Sequence, residues 1–201
     1  MAANVSFNPA LMTGAQNAFL LETQGWIQGI TQDDPVSRMY LTSGILDSGI
    51  SQIVWGGMGI IYNTAQLATD NRQGPDIKLA TSSSISGFTV FDQAISMTQT
   101  PGNTVPTAVA GQSIAFYTFG SKARIPLPLA SGVISNLEGV VPTTQLYWDA
   151  TNFNITTTSS GNVALPAGVL LLAVNANSKV VSYSGGVASW LEGQDACLIQ
   201  L

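Results

Sequence analysis

From Met39 to the C-terminus, apolar residues come in short runs, many alternating with polar ones, and Gly, Pro, Asn or Ser separates one run from the next. Alternation with period two puts one set of side chains on one face of a strand, and the separators are turn formers. The pattern predicts strands at Met39–Leu46, Ile50–Trp55, Met58–Tyr62, Ile77–Ala80, Phe88–Phe91, Ile114–Phe119, Ala123–Leu129, Gln145–Trp148, Phe153–Thr157, Val169–Val174, Val180–Tyr183 and Cys197–Leu201. Val, Ile, Thr and aromatic residues fill them, as a pleated surface favours. The apolar stretch before Val174 has a helical look, but Pro166 and Gly168 argue for a turn feeding a buried strand. Proline has no N–H to give to a ladder, so Ile125-Pro126-Leu127-Pro128-Leu129 is expected at a sheet edge or as an extended surface segment. Many short strands with frequent turns predict an all-β fold: a sandwich, jelly roll or small barrel.

The first 35 residues break this pattern. Asn8 is placed to cap a short helix with Pro9 at its first position. Gly14 weakens that helix, and Gly25 and Gly29 interrupt the residues beyond it. Phe7, Leu11, Phe19, Leu20 and Trp26 are many large apolar groups for such a segment. They either cover the chain's own sheet or form an arm that docks on a neighbouring subunit. Asp33-Asp34-Pro35 reads as a turn or hinge, dividing an N-terminal docking segment, 1–35, from a β domain, 36–201.

Charge changes the picture most. Only 8% of the residues are Asp, Glu, Lys or Arg, against roughly 25% in an average soluble domain. Charge is costly to strip of water, so surfaces destined for burial between subunits tend to lose it. This points to a homodimer or homotrimer held in an assembly, although a neutral secreted β protein has the same composition. The six basic residues form no run beyond the Lys122-Ala123-Arg124 pair, so no nucleic-acid partner is expected. No apolar stretch reaches the about 18 residues of a spanning helix, so no membrane partner is expected. The N-terminus lacks the basic and apolar regions of a signal peptide. Asn4-Val5-Ser6 and Asn154-Ile155-Thr156 match the glycosylation sequon, a chance match where no secretory signal is seen.

Candidate chemistry is sparse. The chain has no histidine and one cysteine, Cys197. That removes the commonest general base and metal ligand, excludes Ser-His-Asp and Cys-His sites, and excludes a thiolate-rich zinc site. Cys197 lies in an apolar run and reads as a small buried hydrophobe. Asp70, Asn71 and Asp76 read as a solvated turn, not an oxygen-ligand site. Gly56-Gly57-Met58-Gly59 has no phosphate-binding lysine after it and reads as a tight turn or bulge. Glu138 and Asp149 have nothing in the sequence to bring them together as a glycosidase pair, and Trp148 reads as core or interface. Ile45-Leu46-Asp47-Ser48-Gly49 looks like the signature of aspartic proteases, whose paired aspartates a viral enzyme could supply one per subunit of a dimer. Asp-Ser-Gly is also ordinary turn chemistry, and Ile50 stands where that family has Ala. The expectation is a non-enzyme with no cofactor and no metal.

The block from Ser86 to Asp149 resembles the cement or decoration proteins of tailed-bacteriophage heads. The features are Ser86-Gly87-Phe88-Thr89-Val90, Gly111-Gln112-Ser113-Ile114-Ala115-Phe116, Lys122-Ala123-Arg124-Ile125-Pro126-Leu127 and Val141-Pro142-Thr143-Thr144-Gln145-Leu146-Tyr147-Trp148-Asp149. The shared style is an aromatic strand followed by a proline-containing, barrel-like segment, with Ala196–Leu201 closing the sheet. The resemblance implies a subunit made in the host cytoplasm that oligomerises on the capsid exterior and bridges major capsid protein subunits. The first 35 residues have no counterpart in that style. The alternatives are a tail-fibre or lectin-like receptor-binding module and, third, a dimeric protease using Asp47.

Overall fold

Two strands with apolar side chains on both faces sit at the centre of the molecule. In β5 (Gly87–Val90) and β6 (Ser113–Thr118), almost every residue is buried. Ile114 and Phe116 face one apolar cluster, while Ala115, Tyr117, Phe88 and Val90 face another. A strand reads as a continuous apolar run when it is covered on both sides, and here it is the wall between two cores.

The computed structural model describes residues 26–27, 37–64, 75–90, 102 and 105–201. One side of the wall is the interior of a closed five-stranded barrel, in the order β2 (Thr42–Leu46), β4 (Pro75–Leu79), β3 (Gly59–Thr64), β5, β6. β2 pairs parallel with β4, and the other barrel pairs are antiparallel. Leu46, Ile60, Ile77, Ile114 and Phe116 fill the interior with Val54 and Met58. At Gly44, an added Cβ would lie 2.8 Å from the Ile77 side chain, so glycine lets β2 approach its neighbour.

Beyond the other face lie two smaller sheets. One has the order β1 (Trp26–Ile27), β11 (Leu170–Ser184), β12 (Val187–Gln200), β7 (Arg124–Pro128). The other has the order β10 (Val163–Ala164), β8 (Tyr147–Asp149), β9 (Asn154–Thr156). Ile125, Leu127, Trp148, Ile155, Cys197 and Ile199 from these sheets meet Phe88 and Tyr117 from the barrel. Trp148 packs edge-to-face on Phe88 at 5.2 Å. Its indole also covers Gly59, where a Cβ would come within 2.5 Å of Nε1. The one described α-helix, α1 (Ile134–Leu137), is a single turn.

The fold is therefore all-β and contains a small barrel, as the alternation predicts. β7 is an edge strand, and Pro126 and Pro128 pair with Leu198 and Ala196 of β12 on its single partnered side. Five strand predictions need correction. Ile50–Trp55 is not a strand: only Val54 bridges, to Ala108. The Met39–Leu46 strand starts at Thr42, because Ser37–Tyr40 forms a 3-10 turn. Val169–Val174 and Val180–Tyr183 belong to one strand, β11, and Cys197–Leu201 is the end of a strand, β12, that starts at Val187. Asn175-Ala176-Asn177-Ser178 looks like a turn, yet it is a bulge: Asn177 has φ 73° and the β11–β12 register shifts there. The real turn is Gly185-Gly186, with both φ values positive, as a two-residue hairpin of type I′ requires. β12 also lies between β11 and β7, so the C-terminal run is interior to its sheet and does not close it.

Candidate functional site

A cleft of about 350 Å³ opens where the β11–β12 ribbon passes the barrel. One wall is Val180–Tyr183 of β11 with Leu191 and Gln194 of β12, and the end of the floor is Pro128 and Leu129. The opposite wall is the β8–β9 turn, Thr151–Asn154, and Trp55 reaches in from the loop before β3.

Local bonding holds each of these parts. Asp149 Oδ1 accepts hydrogen bonds from the Thr151 and Asn152 N–H groups at 2.8 and 2.9 Å, and Oδ2 accepts from Asn152 Nδ2 at 2.7 Å. Partial burial raises this carboxyl's pKa, but the bonds from Asn152 and Thr151 outweigh it and hold the value below the usual carboxylate range. The turn carries Phe153 at φ 55°, a left-handed conformation costing about 1–3 kcal/mol for a non-glycine residue. Phe153 thereby meets Trp55 edge-to-face at 5.3 Å, and Tyr183 lies 5.5 Å from Trp55. Trp55 is anchored from behind by Thr89, whose Oγ1 donates to the Trp55 carbonyl at 2.6 Å and accepts from the Met58 N–H at 2.9 Å. Asn154 lines the same cleft, and its Oδ1 is buried without a hydrogen-bond partner. Among the described residues, the lining carries no charged side chain.

The residues singled out in the sequence fall elsewhere. Phe7, Leu11, Phe19 and Leu20 lie outside the described residues, as do Asp70 and Asn71. The Trp26–Ile27 backbone pairs parallel with Lys179 and Val180 of this chain's own β11. Asp47 closes the turn after β2: Oδ1 accepts from the Gly49 N–H at 2.7 Å, and Lys78 Nζ lies 3.7 Å from Oδ2. Asp149 serves the β8–β9 turn and Glu138 ends α1. Among the described residues, no group of three or more His, Cys, Asp or Glu is arranged to hold a metal ion, and no helix is long and apolar enough to cross a membrane. Sequence reasoning missed the cleft, because Trp55, Phe153 and Tyr183 come from three segments far apart in the chain. The only local signal is an aromatic beside turn residues, as in Trp55-Gly56-Gly57 and Tyr183-Ser184-Gly185.

Cys197 is fully buried, and the apolar surroundings push its thiol pKa far up. Native protein is expected to resist alkylation by iodoacetamide, whereas protein in guanidinium labels at its one cysteine per chain. Mass spectrometry showing equal labelling rates in the two conditions would contradict this burial.

Large apolar side chains also stand in solvent. Met39 and Tyr40 are 82% and 56% exposed, just ahead of β2. Tyr62 of β3 is also exposed, at 42%, with its ring 5.8 Å from the Phe116 ring. Val140, Val141 and Leu172 form a second exposed group, joined where the Leu171 N–H donates to the Pro142 carbonyl at 2.8 Å. Compared with known proteins, the chain matches no family model, no curated protein and no solved structure.

Proposed function

We propose that this protein is a virion structural protein that decorates and cements the capsid of a tailed bacteriophage, bridging major capsid protein subunits as a homodimer or homotrimer on the capsid exterior. The observation that carries the reading is the exposure of large apolar side chains, Met39, Tyr40 and Tyr62 among them, on a chain with only 8% charged residues. Apolar side chains in solvent gain free energy when a partner covers them, roughly 25 cal/mol per Å² before the cost of association. A surface poor in charge loses little ionic solvation when it is covered. A β body with an edge blunted by Pro126 and Pro128 supports clamping through side chains without open-ended strand addition. The resemblance of Ser86–Asp149 to decoration proteins supports the capsid as the partner.

The test is co-sedimentation with purified capsids. The wild type is expected to co-sediment, and the double variant Met39→Asp/Tyr40→Asp to bind at least tenfold more weakly. Both positions are exposed, so stability should change by about 0.5 kcal/mol or less. Failure of the wild type to co-sediment, or undiminished binding by the folded variant, would refute the reading.

A further inference from the structure

The cleft in front of Trp55 takes no part in the docking surface, and its chemistry is of another kind. We propose that it is a binding site for a neutral saccharide, a ligand of one or two sugar rings. The inference is independent of the capsid reading and would hold for a protein with any partner.

Two opposite properties of the lining select this class. Phe153 and Tyr183, both partly exposed, bring ring surface to the cleft, and the buried Trp55, 3% exposed, backs them at 5.3 and 5.5 Å. Asn152, Asn154 and Gln194 add side-chain amides, each able to donate and to accept. A sugar ring has the matching halves: a C–H face that lies against an aromatic ring, and a rim of hydroxyls that both donate and accept. Asn154 Oδ1 is buried with no hydrogen-bond partner, an acceptor that a sugar hydroxyl would satisfy once the side chain turned toward the cleft. The geometry is set before any ligand arrives, since the Asp149 turn holds Phe153 in its strained conformation against Trp55.

The same observations turn away other ligand classes. A phosphate or carboxylate entering the cleft would find no cation in its described lining. A fatty chain would strand the amides and hydroxyls without partners. About 350 Å³ is at the small end of the roughly 300–1,000 Å³ range of ligand sites, which suits a short segment.

The test uses the full chain and an array of neutral di- to tetrasaccharides of hexoses and N-acetylhexosamines, with sialylated and sulfated counterparts alongside. Any hit is followed by titration of the protein's amide NMR spectrum. The expected result is binding of neutral members in preference to charged ones. Shifts should concentrate at Asn152–Asn154 and Ser182–Tyr183, and Tyr183→Ala should lose tenfold or more in affinity. Because Tyr183 also packs on Trp55, Gln194→Ala serves as a milder second variant, with an expected loss of about two- to tenfold, the worth of one neutral hydrogen bond. No binding at about 10 mM sugar, well above the roughly 1 mM Kd of a site worth about −4 kcal/mol, would overturn the proposal. So would equal binding of charged counterparts, or full affinity in the folded variants. Each of these outcomes leaves capsid co-sedimentation unaffected, so the two readings fail separately.

Discussion

Trp148→Ala is expected to destabilise the protein by about 3–5 kcal/mol, the range for truncating a large buried aromatic. Trp148 is 1% exposed at the centre of β8, with Val163 and Ile155 as cross-strand neighbours. Its ring is the junction of three units. It joins the three-stranded sheet to the barrel through Phe88 and Gly59, and it belongs to the cluster that includes Cys197 and Ile199 of the four-stranded sheet. Alanine would leave a cavity bordered by all three, and collapse around it would have to move a closed barrel. Urea unfolding followed by circular dichroism measures the effect. A loss under about 1 kcal/mol would mean that the cluster repacks freely and that the ring is no junction.

Thr89→Val is expected to cost about 2–4 kcal/mol although it preserves shape, because it exchanges a hydroxyl for a methyl and so loses the bonds to the Trp55 carbonyl and from the Met58 N–H. Thr89 is fully buried, and its Oγ1 ties the Trp55 carbonyl to the Met58 N–H across the Gly56-Gly57 turn. Valine would leave a buried donor and a buried acceptor unpaired, each costing about 1–3 kcal/mol. Thr89→Ser keeps both bonds and loses one methyl, so it should cost clearly less than valine does. Equal losses for the two variants would show that packing of the methyl, not the hydrogen bonds, holds the turn. Because Trp55 lines the cleft, Thr89→Val should also disturb the cleft's amide NMR signals where Thr89→Ser does not.

Much of the fold was legible in the sequence wherever the deciding physics is local. Period-two alternation between turn formers declared an all-β chain. Pro126 and Pro128, spaced two apart, kept one side of β7 free of ladder bonds and so made it an edge. An apolar run on either side marked Cys197 as buried, and Trp148, read from the sequence as core or interface, is core. Asp47, for all its likeness to a catalytic motif, does in the structure what Asp-Ser-Gly does in a turn.

Tertiary structure decided everything that depends on which strands meet. The parallel pairing of β2 with β4 closes the barrel between segments some thirty residues apart in sequence, and alternation carries no information about partners or register. Burial of β5 and β6 on both faces results from that closure and from the second core packed outside it. Asn175–Ser178 has turn composition in isolation but is held as a bulge because β12 pairs on either side of it. Ile50–Trp55 has strand composition, yet only Val54 finds a bridge partner, at Ala108. The cleft lies furthest from sequence reading. Trp55, Phe153 and Tyr183 are each unremarked ends of strand-like runs, and only the passage of the β11–β12 ribbon beside the Asp149 turn brings the other two rings within 5.5 Å of Trp55. Local propensity acts through a residue's own dihedrals and near neighbours, whereas a site of this kind exists only after long-range pairing has set the register.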